Sequence, residues 1–168
     1  SSYYKLTVVL SINIQKDDDF RYAVYLTGSS QDMYVSTDNI YLTGSGYYDW
    51  WAARDNTTIH KIRIHDGKIS YLCSAAVPGH ILNQFSMDEY KGYLRIATHK
   101  WNDGTNVYVL DSVLNLTGKL ENIAPSEQMH SARFMGDRCY LVTFKKIDPF
   151  FVIDLKNPEE PKILGELK

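Results

Sequence analysis

The stretch Asp38-Asn39-Ile40-Tyr41-Leu42-Thr43-Gly44 returns twice further along the chain, as KGYLRIA (residues 91–97) and as DRCYLVT (residues 137–143). Aligned on their Tyr-Leu pairs, Leu42, Leu94 and Leu141 stand 52 and then 47 residues apart, and each opens a β-rich run. A fixed internal period of this length is the mark of stacked repeat units, each too small to bury its own apolar faces. Behind each pair comes a second apolar run: HKIRIHD (60–66), NVYVLD (106–111) or FFVIDL (150–155). A third follows after a polar turn: KISYLCSA (68–75), LTGKLEN (116–122) and KILGELK (162–168). Ahead of each pair lies an alternating run: MYVS (33–36), NQFSM (83–87) and SARFM (131–135). Every unit therefore reads as four short strands, A to D, with turn signals between them.

The turns have mechanisms. Asp38-Asn39, Lys91-Gly92 and Gly136-Asp137 join A to B with residues that tolerate positive φ or form side-chain turns, and Asp66-Gly67 joins C to D in the first unit. Pro158 and Pro161 fall between C and D in the third unit, where a residue without an N–H does least harm to a ladder. Helical periodicity is absent. Four-stranded meanders of this length in tandem define the expectation: an all-β, partial β-propeller of about three and a half antiparallel blades. A β-sandwich is the competing architecture, but it offers no reason for Tyr-Leu to return in phase. Residues 33–79, 80–128 and 129–168 are the expected blades, and residues 1–32 are expected to carry the C and D strands of a preceding one. Because propellers close with four to eight blades, the chain is expected to be a piece of a longer protein, or to be completed by missing blades or self-association.

Composition narrows the function class. With 44% apolar and 23% charged residues and a net charge of −2, disorder is excluded and neither a nucleic-acid nor a membrane-surface partner is implied. No apolar run approaches the roughly 20 residues of a membrane span. Cys73 and Cys139 fall two units apart, on a D strand and beside an A-B turn, so the spacing argues against a disulfide. The sequons at Asn56 and Asn115 hint at export.

The runs SQDMYVSTDNIYLT, GHILNQFSMDEYKGYLRIAT and above all ARFMGDRCYLVTFKKIDPFFVIDLKNPEEPKILGELK resemble the β-propeller domain family of secreted prokaryotic proteins. The resemblance implies an exported or cell-surface propeller and brings no catalytic residues with it.

In a meander, A-B and C-D turns emerge on one face of the disc, and B-C loops and D-to-A connectors on the other. The longest B-C segment is GYYDWWAARDN (46–56), which places Tyr47, Tyr48, Trp50 and Trp51 in an insertion ending on a polar tip. Trp101 comes from the equivalent loop of the next unit. These rings suit a stacking platform for a sugar or an aromatic peptide, and equally suit caps on blade edges. His99 and His130 lie on the same face, as does His80. Three histidines there raise zinc, but no fixed spacing to Asp, Glu or Cys supports it, and no metal or cofactor is expected. Asp17-Asp18-Asp19 lacks the glycine and distant glutamate of a calcium loop, and no nucleophile elbow or phosphate-binding loop occurs. The A-strand positions Met33, Phe85 and Ala132, then Val35, Met87 and Phe134, are expected to stand in equivalent apolar register. The expected function is a non-catalytic binding or scaffold module taking a protein or cell-envelope glycan on the long-looped face. The alternative is part of a secreted hydrolase whose catalytic residues lie in missing blades.

Overall fold

A computed structural model of the chain describes residues 6–16, 19–27, 30–45, 55–101, 103–144 and 149–167. The first two strands, β1 (Leu6–Ile12) and β2 (Phe20–Leu26), pair only with each other. Then come β3 (Ser30–Val35), β4 (Asn39–Ser45), β5 (Asn56–His65) and β6 (Lys68–Pro78), forming one four-stranded sheet in chain order. A second sheet holds β7 (Met87–Tyr90), β8 (Tyr93–Lys100), β9 (Gly104–Leu110) and β10 (Leu116–Ile123). The third holds β11 (Gln128–Met135), β12 (Arg138–Phe144), β13 (Phe150–Asp154) and β14 (Lys162–Leu167). All pairings are antiparallel. The fold is all-β: three four-stranded propeller blades and a two-stranded hairpin ahead of them.

The recurring Tyr-Leu pair now has a physical cause. Successive residues of a strand point to opposite faces, so one pair serves two blade interfaces. Leu42 packs back toward β1 and β2 with Ile40, Ile62, Val9 and Tyr25. Tyr41 points forward, into the cluster between the first and second blades, where Leu94 and Ile96 meet it from the second. Leu141 repeats the role of Leu94 in the next interface, among Ala97, Val107, Val109, Phe151 and Ile153. Each fully buried leucine contributes about 1.5–3 kcal/mol, so the repeat is written by the interfaces it stabilises.

Tight turns link A to B and C to D. Asp66-Gly67 closes β5 onto β6 and Lys91-Gly92 closes β7 onto β8, both residues of each pair taking positive φ as a two-residue hairpin of this type requires. The C-D turn of the second blade is held differently, by Asp111, whose carboxylate accepts from the amides of Val113 (2.9 Å) and Asn115 (2.8 Å). Those amides hold its carboxyl below the usual carboxylate range. At the outer rim, a Cβ added at Gly118 of β10 would lie 2.2 Å from the carbonyl oxygen of Pro158, in the C-D loop of the third blade. That glycine lets two neighbouring blades touch.

Two expectations need correction. NQFSM does not continue as strand: Gln84–Ser86 is a 3-10 turn, capped by the Asn83 side chain accepting from the Phe85 amide at 3.0 Å, and β7 starts only at Met87. The expected A-strand register also fails in the second blade. Leu42 pairs with Met33 and Leu141 with Ala132, but Leu94 pairs with Glu89 rather than Phe85. Leu94 sits one step past its hairpin turn, whereas Leu42 and Leu141 sit further along, so counting back an equal distance overshoots the strand.

Glu89 accordingly stands where an apolar residue was expected, and it ties two blades together. Its carboxylate accepts from Ser36 Oγ (2.5 Å) and Asn39 Nδ2 (3.0 Å), while its amide donates to Tyr34 Oη (3.0 Å). One blade further on, Arg95 is buried, paired with Asp88 and donating to the Gly136 carbonyl at 2.6 Å, with its guanidinium between the rings of Tyr90 and Phe134. The buried Arg95 guanidinium is tolerated because it is engaged by Asp88, the Gly136 carbonyl and two rings, and the half-buried Glu89 carboxylate is paired with Ser36 and Asn39.

Candidate binding face

Three connections converge at the junction of the first and second blades. The Gly79 amide donates to the Asp55 carbonyl at 2.6 Å, bringing the D-to-A connector onto the end of the first B-C segment. His80 and His99 then exchange both backbone hydrogen bonds (2.8 and 2.7 Å), fastening the same connector to the end of β8. Thr57 Oγ1 donates to the Gly79 carbonyl (2.7 Å) and Thr98 Oγ1 to the Pro78 carbonyl (2.6 Å). Gly79 has φ +84, and a Cβ there would lie 2.7 Å from the His99 carbonyl oxygen, so glycine is required twice over. The topology thus sets the B-C and D-to-A connections of adjacent blades side by side.

The backbone clasp positions side chains. His80 Nε2 contacts Asp55 Oδ1 directly. Both ring nitrogens of His99 are buried without a hydrogen bond of good geometry. Burial lowers its proton affinity below the ordinary histidine value; Asp55 and the Gly104 carbonyl oppose that shift and His80 adds to it. Next to it, Lys100 pairs with Asp103 across the β8-β9 turn, and Trp101 stands 69% exposed at the turn itself. This side of the junction therefore presents a paired carboxylate and imidazole, Asp55 with His80, and an exposed indole at the turn after β8, groups that can hold hydroxyls or amides and cover an apolar ring face.

Of the residues expected to form a site, Tyr47, Tyr48, Trp50 and Trp51 lie outside the described residues. The strands on either side of them in the sequence, β4 and β5, pair at Ser45 and Thr57. His99 and Trp101 are adjacent to the clasp. His130 is exposed on β11 with its ring tilted against Phe144 at 5.2 Å, in the third blade, and no contact joins it to His80 or His99 among the described residues. No group of three His, Cys, Asp or Glu side chains among the described residues could hold a metal ion. Both cysteines are free, and burial pushes the Cys139 thiol up to about 12.

Sequence reasoning missed Asp55. It was expected at a solvent-facing tip, yet its side chain is 27% exposed because the Gly79 amide and the His80 ring both seat against the residue. No local pattern signals such a contact, since its partners come from another connection. His80 was the available clue: a histidine beside a glycine at a connector.

Comparison with known proteins agrees with this fold. The family model for the beta propeller domain matches residues 1–168, and the chain belongs to that family. It is 48% identical over 124 residues to an uncharacterized protein of Methanocaldococcus jannaschii, covering 70% of this chain and 20% of that protein. It is 45% identical over 127 residues to an uncharacterized protein of Archaeoglobus fulgidus, covering 73% of this chain and 20% of that one. The chain thus spans about a fifth of the length of the curated relatives it matches. In class it is a generic binding or scaffold module built on propeller blades. No described helix is long and apolar enough to cross a membrane.

Proposed function

We propose that this propeller is a non-catalytic binding module of an exported or cell-surface protein, and that it engages a protein or a cell-envelope glycan through the face bearing its B-C and D-to-A connections. The observation that carries the reading is the clasp at the first blade junction, where the paired Asp55 and His80 and the exposed Trp101 stand at the ends of adjoining B-C and D-to-A connections. Long connections fixed to a rigid sheet are where binding groups are usually displayed. An indole and paired polar groups on one face offer stacking and directional hydrogen bonds to a sugar or a peptide. Export draws support from the two sequons and from the family resemblance.

The test is binding of the full-length protein to a glycan array and to envelope fractions. Trp101→Ala should lower affinity by about tenfold, in the range expected for losing one aromatic anchor, and Trp50→Ala with Trp51→Ala should lower it further. Unchanged binding in all three substitutions would remove this face from the function.

A further inference from the structure

The first strands of the three blades converge on a second feature, on the opposite edge of the sheets from the outer D strands. Between β3, the 3-10 turn and β11 lies a cavity of about 390 Å³, lined chiefly by Met33, Val35, Phe85 and Phe134, with Asp88 and Arg133 as its charged groups. This volume falls within the roughly 300–1,000 Å³ typical of small-molecule sites. The 3-10 turn makes the cavity by carrying Phe85 out of the strand, half exposed, toward β11.

The two charges are not equivalent. Asp88 is already neutralised, since Arg95 Nε donates to its Oδ2 at 3.1 Å and a second guanidinium nitrogen contacts the same oxygen. Arg133 donates Nη1 to the Ala132 carbonyl at 2.7 Å and rests its guanidinium 4.2 Å from the centroid of the Phe85 ring. No carboxylate forms an ion pair with it among the described residues. A guanidinium has five N–H donors in a planar fork suited to a carboxylate, and stacking on Phe85 holds that fork at the rim while leaving its remaining donors in reach.

We propose that this cavity binds a small organic monocarboxylate with an aromatic or branched apolar body. The carboxylate sits on Arg133 and the body lies against Met33, Phe85 and Phe134. With Asp88 neutralised by Arg95, and Tyr34 and Gln84 the uncharged polar groups of the lining, one cation without an ion-pair partner among the described residues matches a single negative charge better than a phosphate, which would bring more charge than the cavity answers. The site is separate from the connection face and stands whether or not that face binds anything.

The test uses the full-length protein and two probes of one shape, 4-phenylbutyrate and neutral 4-phenylbutanol, with dissociation constants from ligand-observed NMR titration. The acid should bind about tenfold or more tightly than the alcohol, the difference expected of one charge-assisted pair. Arg133→Gln should abolish that preference, Arg133→Lys should retain part of it, and Phe85→Ala should weaken both probes. Equal affinity for acid and alcohol, binding of neither, or a preference that persists in Arg133→Gln would overturn the proposal.

Discussion

His99 carries an imidazole whose two nitrogens are shut away from solvent without a well-formed hydrogen bond, and His60, beside the hydroxyl of Tyr71, is likewise held below the ordinary histidine range by burial. The direction of the effect on stability follows from linkage. Above the unfolded-state value of about 6.5 both states are neutral and the contribution is fully present. As pH falls below that value the unfolded chain takes up protons first, and stability is lost until the folded-state value is passed. Denaturant midpoints should therefore decline between pH 7.5 and pH 5, with a smaller decline in His99→Gln. A flat profile, or equal slopes in the two proteins, would show that His99 is not held neutral by the fold.

At the scale of the element, the decisive contacts are made between blades. Gly118→Ala would drive a Cβ to within 2.2 Å of the Pro158 carbonyl, whereas the same change at Gly165 in β14 meets nothing within 4 Å. Forcing apart such a contact costs about 2 kcal/mol, or a thermal midpoint lower by roughly 4–8 °C for a chain of this size. Calorimetry on the two variants checks it, with Gly165→Ala expected near wild type. This division also explains what could be read in advance. The Tyr41-Leu42, Tyr93-Leu94 and Tyr140-Leu141 pairs were legible because alternation along a strand is a local property, and so were the Asp66-Gly67 and Lys91-Gly92 turns. The A strand of the second blade was not, because pairing register depends on turn length as well as on spacing between units. Asp55 and Glu89 were not legible either, since their partners, His80 in one case and Ser36 and Asn39 in the other, come from other parts of the fold.

For the whole molecule, the face that matters lies at the start of the blade series. On the outer face of the hairpin, Leu6 opposes Leu26, Val8 opposes Val24, Leu10 opposes Tyr22 and Ile12 opposes Phe20, all 49–68% exposed. A contiguous apolar face of this kind is what a neighbouring blade covers elsewhere in the fold. The 168-residue segment expressed alone should therefore self-associate, giving a light-scattering mass above that of a monomer that rises with concentration. A clean monomer at high concentration would count against an apolar face in need of cover. Gly118 bears on this larger scale as well. Neighbouring blades are drawn together at the first strands by Glu89 with Asn39 and by Arg95 with the Gly136 carbonyl, and the second and third also meet at the rim, where Pro158 approaches Gly118. Bulk added at the rim alone would push those two blades apart there while their first strands stay tied. A single hydrogen in place of a side chain at Gly118 thus helps set the angle at which the third blade leans on the second.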